Sequence, residues 1–163
     1  MKIKALIALM ALLLLTGCGA EETFETVSDD LVQPAMAQMR EVSVWLPEDA
    51  AAPALESEDG AAYVCEDYEV YQQVLPSGDL EATVRSVSGF DLENLTVVTS
   101  SRDGCKRHDF VWASASEQGD RVGKGCILDD GSYHYVLTVL GDAETAGDYE
   151  TVWREIFDAF SLS

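Results

Sequence analysis

The chain has 163 residues, with 30 acidic and 10 basic side chains and a net charge of −20 at neutral pH. That length suits one domain with a real core and is short for two. The charge disfavours nucleic acid and anionic lipid head groups as partners, because both need Lys and Arg to neutralise phosphate.

The N-terminus carries Lys2 and Lys4, then an apolar run from Ala5 to Leu15, with no acidic residue before Glu21. Crossing about 30 Å of hydrocarbon takes roughly 20 helical residues, so this run is too short for a stable transmembrane anchor. A positive start and a short apolar stretch instead make residues 1–17 a secretory signal. Its end, Leu15-Thr16-Gly17-Cys18, resembles the lipobox of bacterial lipoproteins. In that family the cysteine thiol receives a diacylglyceryl group, and cleavage leaves the lipidated residue as the new N-terminus. The resemblance implies lipidation at Cys18 and a chain held at the extracytoplasmic face of the cell membrane. One acyl chain binds only marginally and two hold stably, each buried CH₂ contributing about 0.8 kcal/mol. Loss of Lys2 and Lys4 with the signal leaves 30 acids against 8 bases, which keeps a tethered domain soluble.

Beyond Cys18 the cysteines are Cys65, Cys105 and Cys126, with no C-x-x-C and no histidine at a zinc-ligand interval. An odd number leaves at least one without an intramolecular partner. The exported setting permits one disulfide, and the sequence does not choose its pair.

Residues 18–40 read as a lipidated acidic tether and approach segment, its first dozen residues polar and flexible. Residues 41–163 read as one domain. In "EVSVWLP", Val42, Val44 and Leu46 alternate with Ser43 and Trp45, which predicts a strand closed by Pro47. "EDAAAPALESEDG" reads as a connection. "AAYVCED" and "YEVYQQVLP" predict paired strands. Leu80, Val84 and Val87 then recur at helical spacing, with Asp79 placed to cap the start and Gly89 the end. "LTVVTS" returns to strand character.

The stretch "RHDFVWASASEQGDRVGKGCILDDGSYHYVLTVLG" predicts a three-stranded antiparallel meander, with turns at Gln118-Gly119 and Asp130-Gly131. Two-residue loops would set Val111 opposite Cys126 and Cys126 opposite Tyr135. They would also set Trp112 over Gly125 and Gly125 opposite Val136, a ring filling a side-chain gap. Large apolar residues on both faces predict that both are covered.

In the C-terminal segment Tyr149, Val152, Trp153, Ile156, Phe157 and Phe160 form one apolar stripe at helical spacing, and Thr145 with Asp148 suggests a variant capping box. Packing of this stripe on the sheet is expected, because the acidic opposite face repels lipid.

The order of a "VWLP" strand, paired strands, an intermediate helix, a meander ending in "GSYHYVLTV" and an aromatic-rich terminal helix resembles the PsbP-like α+β domain. Ala159 stands where that family usually places Ser before the last helical Phe. The resemblance implies an antiparallel sheet sandwiched by helices, a non-catalytic binding or assembly role, and no transferable catalytic residues or cofactor.

Enzyme readings meet geometric obstacles. A Cys/His nucleophilic pair must lie within hydrogen-bond reach. Cys126 and His134 fall on opposite faces in the expected register, as do Cys105 and His108 three residues apart in extended chain. His108 beside Asp109 has no G-x-S-x-G nucleophile elbow to serve. Asp129, Asp130 and His134 cluster at a turn that could hold extracellular calcium weakly, but no 12-residue ligand loop is present. The expected function is therefore a membrane-anchored lipoprotein with a non-catalytic binding or scaffolding domain and an envelope protein as partner. The alternative is a small-ligand or calcium-binding accessory of a transporter or envelope enzyme, followed by a hydrolase-type enzyme.

Overall fold

The computed structural model describes residues 37–50, 52–115 and 119–163. Cys18 and the lipobox lie outside these. Among the described residues no helix is long and apolar enough to cross a membrane.

Among the described residues nine strands and two α-helices follow in order: β1 (Val42–Ser43), β2 (Leu55–Ser57), β3 (Gly60–Val64), β4 (Tyr68–Pro76), α1 (Leu80–Ser88), β5 (Val97–Arg102), β6 (Cys105–Ser114), β7 (Arg121–Asp129), β8 (Tyr133–Asp142), α2 (Glu150–Ala159) and β9 (Ser161–Leu162). Seven strands form one antiparallel sheet in the order β2-β3-β4-β8-β7-β6-β5, and β1 pairs with β9 separately. This is an α+β fold with one helix on each face of the sheet, as the two-faced apolar pattern requires.

Helix α1 is capped as its sequence predicts. The Asp79 carboxylate accepts from the Glu81 amide at 3.0 Å, and Gly89 closes the helix in the left-handed region at φ 79°. It covers the face built from Val84, Phe110, Trp112, Ile127 and Val136. Helix α2 covers the other face, where Trp153, Ile156, Phe157 and Phe160 pack with Tyr68, Val70, Leu137 and Val139. The expected capping box does not form. Thr145 makes no capping bond, and a 3-10 turn over Ala146–Tyr149 leads into the helix instead. The far end of α2 has no basic residue of its own. Arg102 and Arg107 from the sheet supply it, donating to the carbonyls of Asp158 at 3.4 Å and Phe157 at 3.2 Å.

Three further expectations change. The connection after Pro47 contains a strand, β2, hairpinned to β3 by Ser57↔Gly60. The predicted first strand contributes only Val42 and Ser43 to pairing, although Val42, Val44 and Leu46 do alternate inward against the core. The meander exists, but both hairpins are displaced by two residues: Val111 faces Lys124, and Cys126 faces Leu137. The reason at the second turn is a carboxylate. Asp130 accepts from the amides of Ser132 and Tyr133, both at 2.8 Å, and so builds a longer turn than a two-residue loop. A shift of two preserves the face of every side chain. The ring-over-glycine arrangement therefore survives one step along, with Trp112 over Gly123 and Phe110 over Gly125.

Candidate functional groove

The register lines up one row of side chains across six strands on the α1 face: Phe110, Gly125, Thr138, Tyr71, Ala62 and Leu55. Helix α1 covers the β6–β8 end of this face. The β4–β2 end is open, because nine helical residues span only about 13 Å at 1.5 Å per residue.

Two adjoining hollows result. One of about 350 Å³ is lined by Leu55, Ser57, Gly60, Ala62, Tyr71 and Leu75 among others. The second, about 230 Å³, lies against α1 and is bounded by Val87, Trp112, Thr138 and Leu140. Tyr71 and Gln73 belong to both. Small residues at Ser57, Gly60 and Ala62 lower the floor of the first hollow, while Leu55, 71 % exposed, stands at its rim. An apolar floor with a few polar groups, Asp59 among them, is the composition of a binding groove. Tyr71 donates its hydroxyl to Glu69 at 2.5 Å. Burial first, and then this bond, push the phenol up to about 12, so it stays protonated and directed at Glu69. Glu69 in turn lies 3.6 Å from Arg121, whose guanidinium also reaches the carbonyls of Gly141 and Leu140.

The residues weighed for catalysis are kept apart. Cys126 is fully buried toward α2, while His134 is buried on the α1 side with Nδ1 2.8 Å from Thr83 Oγ1. Burial pushes the Cys126 thiol well up, and the Asp109 charge adds to that against the opposing pull of Arg107 and Lys124. The Lys124 ammonium sits 4.6 Å above the Phe157 ring. His108 pairs with Thr99 at 3.0 Å, on the face opposite Cys105. Cys105 opens β6 and is buried, with its sulfur 3.1 Å from Arg40 Nη1. Cys65, Cys105 and Cys126 are all free thiols.

Asp129 and Asp130 act as turn builders. Asp129 Oδ1 accepts from Ser77 Oγ at 3.2 Å and the Gly131 amide at 2.8 Å, and lies 3.9 Å from His134 Nε2. Among the described residues no three His, Cys, Asp or Glu side chains converge to hold a metal ion.

Sequence reasoning placed Tyr71 and Trp112 in strands but did not find the groove, because its outer wall rests on β2. Three residues inside a Pro- and acid-rich stretch carry too little periodicity to announce a strand.

No protein-family model matches the sequence, and no curated protein matches it either. Among solved structures, LpqN, involved in cell envelope biogenesis of Mycobacterium tuberculosis, superposes with a TM-score of 0.53 at 11% identity, over 77% of this chain and 84% of that one. The Ran-binding protein Mog1p of Saccharomyces cerevisiae gives a TM-score of 0.46 at 10% identity, over 74% of this chain and 89% of that one. The likeness to LpqN is one of fold: an antiparallel sheet with flanking helices.

Proposed function

We propose that this chain is a lipoprotein anchored through Cys18 at the extracytoplasmic face of a bacterial membrane, and that its α+β domain binds an envelope protein without catalysis. The observation that carries the binding role is the half-covered row from Phe110 to Leu55, whose outer members Tyr71, Ala62 and Leu55 form an open apolar groove beside α1. An open trough with exposed apolar rims suits a protein segment better than an enclosed small molecule. The separation of Cys126 from His134 supports the non-catalytic reading, and the order of elements supports the PsbP-like resemblance. The lipobox and the short apolar run support the anchor.

Two experiments test this. A photo-crosslinking residue at Leu55 of the full chain in intact membranes is expected to capture one defined protein, while the same residue at Glu155 on the exposed side of α2 captures none. Equal capture at both positions, or none at Leu55, overturns the binding surface. Cys18→Ser is expected to abolish incorporation of labelled palmitate, and equal incorporation by mutant and wild type overturns the anchor.

A further inference from the structure

The two faces of the seven-stranded sheet are covered unequally. On the α2 face the cover reaches β3, where Tyr63 packs against a core to which α2 and Val42, Val44 and Leu46 all contribute. On the α1 face, among the described residues, the core takes no side chain from β2 or β3. Leu55, Ala62 and Val64 belong to that face, since Leu55 pairs with Ala62, Ala62 with Tyr71, and Val64 with Glu69. Leu55 and Val64 stand exposed there.

The uncovered strip has the width of one helix. Strands lie about 4.8 Å apart, so β4 to β2 measures about 10 Å, close to the diameter of a helix with its side chains, about 10–12 Å. An added strand fits less well. The free edge on this side, β2, is three residues long, lies just after Pro53 and carries Glu56, three features that discourage strand pairing.

The strip also carries uncompensated negative charge. Asp59 lines the larger hollow and Glu58 precedes it in the β2–β3 turn, both exposed. Neither forms an ion pair among the described residues, and no Lys or Arg lines either hollow. Two bases close in sequence or space to the lining residues are already engaged: Arg121 with Glu69, and Arg85, beside Ser86, with Glu81 and Asp91.

We infer that the groove receives one amphipathic α-helix of the envelope protein partner, its apolar stripe lying on Ala62, Tyr71 and Leu55 and a lysine or arginine meeting Asp59. This rests on the groove being the binding surface and specifies what enters it. Apolar anchors at i, i+3 and i+4 are how a helix seats in a groove. Small side chains at Ser57, Gly60 and Ala62 leave depth for such an anchor, and α1 supplies the far wall through Ser86 and Val87.

The test uses the full chain in a neutral detergent, with a photo-crosslinking residue at Leu55, and three synthetic peptides of about 14 residues, some 20 Å of helix. The first has a leucine face and a lysine face at helical spacing. The second replaces its lysines by glutamates. The third keeps the composition of the first but alternates leucine and lysine as a strand would. The first is expected to crosslink saturably, and the other two at least about tenfold more weakly, a difference of roughly 1.4 kcal/mol. Asp59→Lys should weaken the first peptide several-fold, while Glu155→Lys on the exposed side of α2 leaves it unchanged. Ala62→Trp, which fills the floor, should abolish crosslinking, with circular dichroism verifying the fold. Equal crosslinking by the glutamate helix or the alternating isomer, indifference to Asp59→Lys, or no crosslinking by any peptide overturns the basic helix as occupant. If Leu55 still captures a protein in intact membranes, the groove stands as a binding surface and only its occupant is wrong; loss of that capture as well overturns both.

Discussion

The indole of Trp112 lies across the backbone of Gly123, occupying the space a β-carbon there would fill. Phe110 does the same over Gly125, where a β-carbon would come within 2.5 Å of the ring, and the two aromatics stack with centroids 5.6 Å apart. Gly123→Ala is thus expected to displace the indole and cost about 1–3 kcal/mol, the usual penalty for overpacking. Urea denaturation measures it, and an unchanged midpoint would mean that the ring sits elsewhere.

On the opposite face Trp153 packs over Gly141 and edge-on to Tyr68, with centroids 6.0 Å apart. It is the largest side chain of the α2 stripe and only 7 % exposed. Trp153→Ala is expected to destabilise the domain by about 3–5 kcal/mol, the cost of emptying a large aromatic site. A melting temperature within a degree or two of wild type would show that α2 does not close the core.

All three thiols of the folded domain are expected to resist alkylation. Cys126 has no exposed surface and a thiol pushed up chiefly by burial, and burial likewise raises Cys65 against the lowering bond to Tyr68. Cys105 is shielded by burial and by Arg40. Iodoacetamide at neutral pH should label none of them rapidly until urea unfolds the chain. Mass spectrometry checks this, and fast labelling of Cys126 in the native state would contradict the register.

Acid should weaken the domain in two windows. Burial holds His108 below its ordinary 6.5, with His134 and Lys106 adding to the lowering and Asp129 opposing it. The unfolded chain therefore takes up the proton first, and stability falls as pH drops from about 6.5 toward the folded value, below which the loss is constant. Burial raises the Asp130 carboxyl, but the Ser132 and Tyr133 amides and the Tyr135 hydroxyl outweigh it, leaving the net pKa lowered. Its stabilisation is complete above about 3.8 and disappears as pH falls through the folded value. Denaturation curves across pH should lose the upper slope, and keep the lower one, in His108→Gln.

Much of this architecture is legible in the chain itself. The helix periods at Leu80–Val87 and Tyr149–Phe160 and the caps at Asp79 and Gly89 are local signals, set by neighbours in sequence. Side-chain face in the meander is equally robust, since alternation survives a slip of two. The slip at the second turn is illegible, because it depends on the Asp130 carboxylate choosing amides two and three residues onward over a tighter turn. The groove was illegible for a different reason. It exists through what α1 fails to cover, and the extent of a helix over a sheet is a property of packing that no stretch of sequence carries alone.

Arg40 holds the chain where it enters the domain. Its amide donates to the Tyr135 hydroxyl at 2.8 Å, and its guanidinium reaches the Leu162 carbonyl and the Cys105 sulfur, both at 3.1 Å. Just beyond it, Val42 and Ser43 pair with Leu162 and Ser161, and the Ser163 amide donates to the Glu41 carbonyl at 3.0 Å. Mechanical load applied to the preceding segment would therefore not peel β1 away directly. Arg40 passes the force to Tyr135 in the central strand β8 and to the start of β6, so a pull from the N-terminal side is shared by the sheet before the short β1–β9 pair begins to open.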